Sequence, residues 1–205
     1  MTTDTSERGL ERLICTALTG HPCDQSSVSS GISASSGDSG AAGGSGWICG
    51  SPGDYDREYC VDLAQLAHFL HDTQPNAAEV LSLADDSPTR RAFLARLQGE
   101  VTRKGTINIL RQGVKHGPHD LALFYGTPSP DIPAAIERYA KNRFSVTRQL
   151  RYSRDETQLS LDLGLFINGL PVATFELKNS LTKQTVEDAV QQYKRDRDPR
   201  DGTCQ

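Results

Sequence analysis

The feature that most constrains this 205-residue chain lies between positions 159 and 178. Leu159, Leu161, Leu163, Leu165 and Ile167 alternate with Ser160, Asp162, Gly164 and Phe166, which is the period of a half-buried strand. Asn168-Gly169 follows, a dipeptide that favours a tight hairpin turn. Val172 to Lys178 then reads as a second strand. Ala173, Phe175 and Leu177 share one face of it, and Thr174, Glu176 and Lys178 share the other.

Around this hairpin the chain reads as alternating helix and strand. Leu10, Leu13, Ile14, Ala17 and Leu18 predict a helix over Ser6 to Leu18, capped by Thr5 or Ser6, with Glu7 and Glu11 one turn apart. Between Asp24 and Gly46, fifteen of twenty-three residues are Ser or Gly, too few apolar groups to offset ordering entropy, so a flexible insertion is expected. Helices are predicted at Val61–Asp72, Ala77–Leu83 and Thr89–Leu97, stopped by Pro75, Pro88 and Gly99. Ile107–Leu110 and Leu121–Tyr125 read as strand, turn, strand, Ala134–Asn142 as a short helix and Phe144–Tyr152 as a strand. Val186, Ala189, Val190 and Tyr193 give the buried stripe of a last helix starting near Thr182 or Thr185.

Composition removes several classes. No apolar run approaches the roughly 18 residues of a membrane span. Met1 to Arg12 is polar and carries acids, which argues against a secretory signal. The five cysteines form no CxxC pair, so reduced thiols in the cytoplasm are expected. Cys23, Cys49 and Cys60 with His68 or His71 lack the paired spacing of structural zinc ligands. The net charge of −4 gives no general case for nucleic acid, so any such case must be local. Arg138 to Arg154 supplies one: six cations (Arg138, Lys141, Arg143, Arg148, Arg151 and Arg154), no acid, and Tyr139, Phe144 and Tyr152 between them. Arg103, Lys104, Arg111 and Lys115 form a second such run. Either could track a phosphate backbone through charge.

The chemistry is expected on the hairpin. Glu176 and Lys178 lie two residues apart on one strand face, and Asp162 is an acid within the preceding apolar strand. A lone Glu-x-Lys is a common surface pair of little consequence. With Asp162 on the same face, the three suit Mg²⁺, bound by two carboxylates that leave positions open to water and phosphate. Register decides the matter. A two-residue turn at Asn168-Gly169 puts Leu161 opposite Glu176. An odd-length loop such as Ile167-Asn168-Gly169, or a bulge elsewhere, puts Asp162 there instead.

The arrangement of Asp162, Glu176 and Lys178 resembles a PD-(D/E)xK nuclease motif, with the three in its positions. The words around them are more specific. Gly105-Thr106-Ile107, Gly113 to Pro118, Arg138 to Leu150 and Asn168 to Asn179 resemble the N-terminal nuclease domain of type I restriction enzyme R subunits. The likeness spans Trp47 to Arg200 and the first helix. It implies an α/β fold with a restriction-endonuclease-like core, a central mixed β-sheet flanked by helices. Residues 1–23 would then be its first helix, 24–46 the insertion, 47–200 the core and 201–205 a tail.

The resemblance also implies roles. Asp162 and Glu176 would hold Mg²⁺, and Lys178 would act on the attacking water. A first-helix glutamate supports the metal in this family; Glu11 or Glu7 matches, and Glu11 is preferred because Glu7, near the helix start, also complements the helix dipole. The family's Gln-x-x-x-Tyr motif is met only in part: Tyr193 is present, Ala189 stands four residues before it, and Gln191 and Gln192 are out of register. Gln192 and Tyr193 are kept as supporting residues. Lys141, Arg143, Arg148 and Arg151 would touch the DNA backbone. Double-stranded DNA and the methylation and specificity subunits would be the partners. ATP would serve only the full-length assembled enzyme, because no GxxxxGK[ST] loop is present. Two alternatives stay open: a non-catalytic DNA- or subunit-docking module on the same scaffold, and a nuclease working alone.

Overall fold

Ser6 opens the first helix. Its hydroxyl accepts the Gly9 N–H, and α1 (Glu7–Thr19) runs until Gly20 closes it in the left-handed conformation. The computed structural model describes residues 6–24, 44–152, 160–178 and 190. Most of the Ser/Gly insertion, Arg154, most of the expected last helix including Gln192 and Tyr193, and the tail lie outside the described residues.

Beyond Gly20 the chain doubles back on the end of α1. Ser45 and Trp47 both donate their N–H to Leu18 O, which sets β1 (Ile48–Cys49) against the segment after the helix. Cys23 thereby meets Cys49 with Cα atoms 5.5 Å apart, and the two form a disulfide. That corrects the expectation of five reduced thiols. Cys15 is a free, buried thiol, and Cys60 is buried as well.

A short ribbon follows, β2 (Tyr55–Asp56) against β3 (Val61–Asp62). Asp62 caps the next helix by accepting the Gln65 N–H. Four helices then build the largest core: α2 (Leu63–Thr73), α3 (Pro75–Leu81), α4 (Pro88–Lys104) and α5 (Thr106–Gln112). Leu66, Phe69, Leu81, Phe93, Leu97 and Ile109 fill it. Two expectations fail here. α4 continues through Gly99 because Leu97 and Val101 on either side are buried and Glu100 ties Arg96, Arg103 and Lys104 to its surface. Ile107–Leu110 is helical and not a strand; Ile109 and Leu110 point inward and Ile107 outward. The turn between strands is later and shorter, β4 (Val114–His116) with β5 (His119–Leu121).

After α6 (Pro133–Ala140) come the long strands, β6 (Phe144–Arg151), β7 (Ser160–Ile167) and β8 (Leu170–Phe175). The sheet order is β1-β6-β7-β8; β1 lies parallel to β6, and the other pairs are antiparallel. The architecture is α/β with a mixed four-stranded sheet. Both faces of the sheet are covered. Val146 and Leu163 pack on Cys15 of α1, whereas Leu150, Leu161 and Phe166 cluster on the other side. Gly164 belongs to that second side, since a Cβ there would stand 2.8 Å from the Leu150 methyl.

The hairpin register is decided by a bulge. Asn168 and Gly169 take φ of 51° and 84°, the two left-handed residues of a tight primed turn, and Ile167 pairs with Leu170 across it. A register shift at Leu165/Phe166 leaves Val172 as the extra residue, so that Leu165 faces Ala173 and Leu163 faces Phe175. Continued one step, that register sets Asp162 opposite Glu176. The odd three-residue loop is not used; the bulge does its work.

Candidate metal and phosphodiester site

The ladder ends at Phe175, and Asp162 uses the space beyond it. Its Oδ2 accepts the Leu177 N–H at 2.6 Å. Lys178 folds back onto Glu176, with Nζ 3.1 Å from Oε1, and both side chains are about one-sixth exposed. Asp162, Glu176 and Lys178 are thus brought together at the open end of the β7–β8 hairpin. Burial pushes the Asp162 carboxyl above its usual range; the Leu177 N–H and Lys178 pull it down, Glu7 pushes it up, and the Gln149 amide pulls it down. A half-buried carboxylate with a second acid nearby is an environment that a divalent cation would relieve.

The α1 side of the site is built differently from the expectation. Glu11 is 3% exposed. Its Oε2 takes Arg148 Nε and Nη2, each at 3.0 Å, and its Oε1 takes Gln149 Nε2 at 2.9 Å. Both oxygens are engaged, and Glu7 is the α1 acid whose charge reaches Asp162. Arg148 also donates through Nη1 to Asp24 Oδ1 at 2.6 Å and to Pro22 O at 3.0 Å. This hydrogen bond holds the Asp24 carboxyl below its usual value. With its side chain 11% exposed and three acceptors around it, Arg148 is withdrawn from the DNA-backbone set. The reason is geometric: β6 turns it inward onto α1.

The other cations differ. Arg151 is exposed at the strand end. Lys141 is exposed and donates to Asp72 O. Arg143 is half-buried, its Nε on Gln65 Oε1 at 2.7 Å. From the second run, Lys104, Arg111 and Lys115 line a groove of about 410 Å³ between α5 and the β4–β5 hairpin, where Lys115 faces Asp120.

Sequence reasoning missed Gln149, an exposed residue at φ 51° within β6. Arg148 pairs with Leu163 and Leu150 with Leu161, and Gln149 sits unpaired between them. No residue pattern signals this kink. Among the described residues no group of three Asp, Glu, His or Cys encloses a metal ion. Asp162 and Glu176 would offer two carboxylates to a hard cation that keeps several of its waters.

The family model for the type I restriction enzyme R protein N terminus matches residues 96–203, just over half the chain. Neither a curated protein nor a solved structure matches it.

Proposed function

From the premise that this chain belongs to the family of type I restriction enzyme R protein N termini, we propose that it is the Mg²⁺-dependent endonuclease domain of a type I restriction system. The observation that carries this reading is the register: the Val172 bulge brings Asp162 to Glu176 and Lys178 at one strand end. Asp162 and Glu176 would hold the cation through the oxygens not given to Leu177 and Lys178. When bound, Mg²⁺ supplies a more acidic water and neutralises charge on the phosphate.

The chain's own residues do the rest. The Leu177 N–H fixes the half-buried Asp162 carboxylate. Lys178, held at the site by Glu176, orients the attacking water and stabilises the charge that gathers on the phosphate. Glu7 adds negative charge on the α1 side, while Glu11 and Arg148 lock that helix to the sheet. Lys141, Arg143 and Arg151 would meet the backbone of double-stranded DNA, and Gln192 and Tyr193 would support the site from the following helix. The fold would be a restriction-endonuclease-like core over 47–200, with residues 1–23 as its first helix, 24–46 as an insertion and 201–205 as a tail.

Methylation and specificity subunits would select the DNA, and ATP would be used by the assembled enzyme rather than by this chain. The compartment of such a system would be the cytoplasm, and the Cys23–Cys49 disulfide, uncommon there, does not favour it. No described helix is long and apolar enough to cross a membrane.

Lys178→Ala tests the reading. Cleavage of linear duplex DNA with Mg²⁺ should fall by about a hundredfold or more, while DNA affinity in a gel-shift titration stays within about threefold. A docking module would show no cleavage by either protein.

A further inference from the structure

We propose that Gln149 is a positioning residue of this site: its left-handed backbone breaks the β6–β7 alternation beside Asp162, and its amide fastens the β6–β7 pair to Glu11. The inference rests on the nuclease reading and deepens it. In a regular strand Arg148 and Gln149 would point to opposite faces. Here both bond Glu11, one at each carboxylate oxygen. The same kink accounts for the facing strand. Leu161 packs with Leu150 and Phe166, whereas Leu163 packs with Val146 and Cys15 on the other face. The alternation therefore breaks between Leu161 and Leu163, at Asp162, the residue opposite Gln149 in the pairing.

The side chain is oriented from both ends. Ser160 Oγ donates to Gln149 Oε1 at 3.2 Å, which leaves Nε2 aimed at Glu11. A residue with a Cβ adopts φ near +51° at a cost that glycine does not bear. Backbone geometry alone therefore gives no reason for glutamine, and the amide bridge does. Gln149 is exposed while Glu11 beneath it is buried, so the bridge forms the rim between α1 and the proposed metal ligands.

Gln149→Gly keeps the turn and deletes the amide; Gln149→Asn keeps both but retracts the amide by one methylene. Mn²⁺ binding to the full chain, followed by calorimetry, is compared among wild type, both variants and Asp162→Asn, with thermal unfolding in parallel. Asp162→Asn ties the heat to this site by abolishing it. The expected result is a Gln149→Gly protein that unfolds at or near the wild-type temperature and binds Mn²⁺ about tenfold more weakly, with Gln149→Asn between the two. Wild-type affinity in Gln149→Gly overturns the inference and leaves the nuclease reading standing. If that variant fails to fold, Gln149→Asn decides, and an unchanged affinity there overturns it equally. A wild-type protein that takes up no Mn²⁺ sinks the nuclease reading, and the inference falls with it.

Discussion

Asp62 shows how much one buried side chain can cost this fold. It is 1% exposed, and its Oδ1 caps α2 through the Gln65 N–H. Its Oδ2 meets no hydrogen-bond partner among the described residues, and neither do the buried hydroxyls of Ser145 and Thr147. Burial raises its carboxyl from the usual 3.8 to about 6, with the Gln65 N–H opposing, Asp54 adding and Arg143 opposing. A carboxyl whose pKa is higher folded than unfolded binds its proton more tightly in the folded state. Its contribution is complete below pH 3.8 and is lost as pH rises through 6. The shift corresponds to about 3 kcal/mol. Asp62→Asn retains a capping oxygen and removes the charge. Denaturant unfolding should find it more stable than wild type by about 2 kcal/mol at pH 8, the gap closing towards pH 4. A gap independent of pH would show that Asp62 is not charged and strained in the native state.

At the scale of elements, the β7–β8 hairpin carries both fold and site. Gly169 lies at φ 84°, and its carbonyl accepts the Asp62 N–H at 2.8 Å. A Cβ there would stand 2.5 Å from Asp62 O and 2.7 Å from Leu66 N, both main-chain atoms. Gly169→Ala should therefore destabilise the protein by about 3 kcal/mol in denaturant unfolding, and a loss under about 1 kcal/mol would contradict this packing of the turn on α2.

The same hairpin explains what the sequence made legible. The strand over Ser160 to Ile167 and the Asn168-Gly169 turn were readable because each is a local preference of backbone and side chain. A half-buried strand was not the outcome, however: the alternation breaks at Asp162 and both faces are covered. The need for an irregularity was readable too, but not its place, since Val172 has no property that marks a bulge. Ile107–Leu110 misled because four apolar-rich residues between glycines fit a strand as well as a buried helical turn. Gly99 misled because a glycine facing open space weakens a helix without ending it. Arg148 could not be told from a surface cation, because its burial depends on Glu11, 137 positions away.

For the whole molecule, membership of the R protein N-terminal family and the geometry of the strand end both support the reading we propose, in which this α/β scaffold would present a cation to a phosphodiester. α1 is locked to the sheet through Glu11 and Arg148, and the helical core beyond the hairpin turn supports the opposite side. Anomalous diffraction from a crystal of the full chain soaked in Mn²⁺ is the most direct measurement. The account predicts one strong peak within coordination distance, about 2.2 Å, of carboxylate oxygens of both Asp162 and Glu176, with Lys178 beside it. Absence of a peak there, or a peak only elsewhere on the surface, would contradict it.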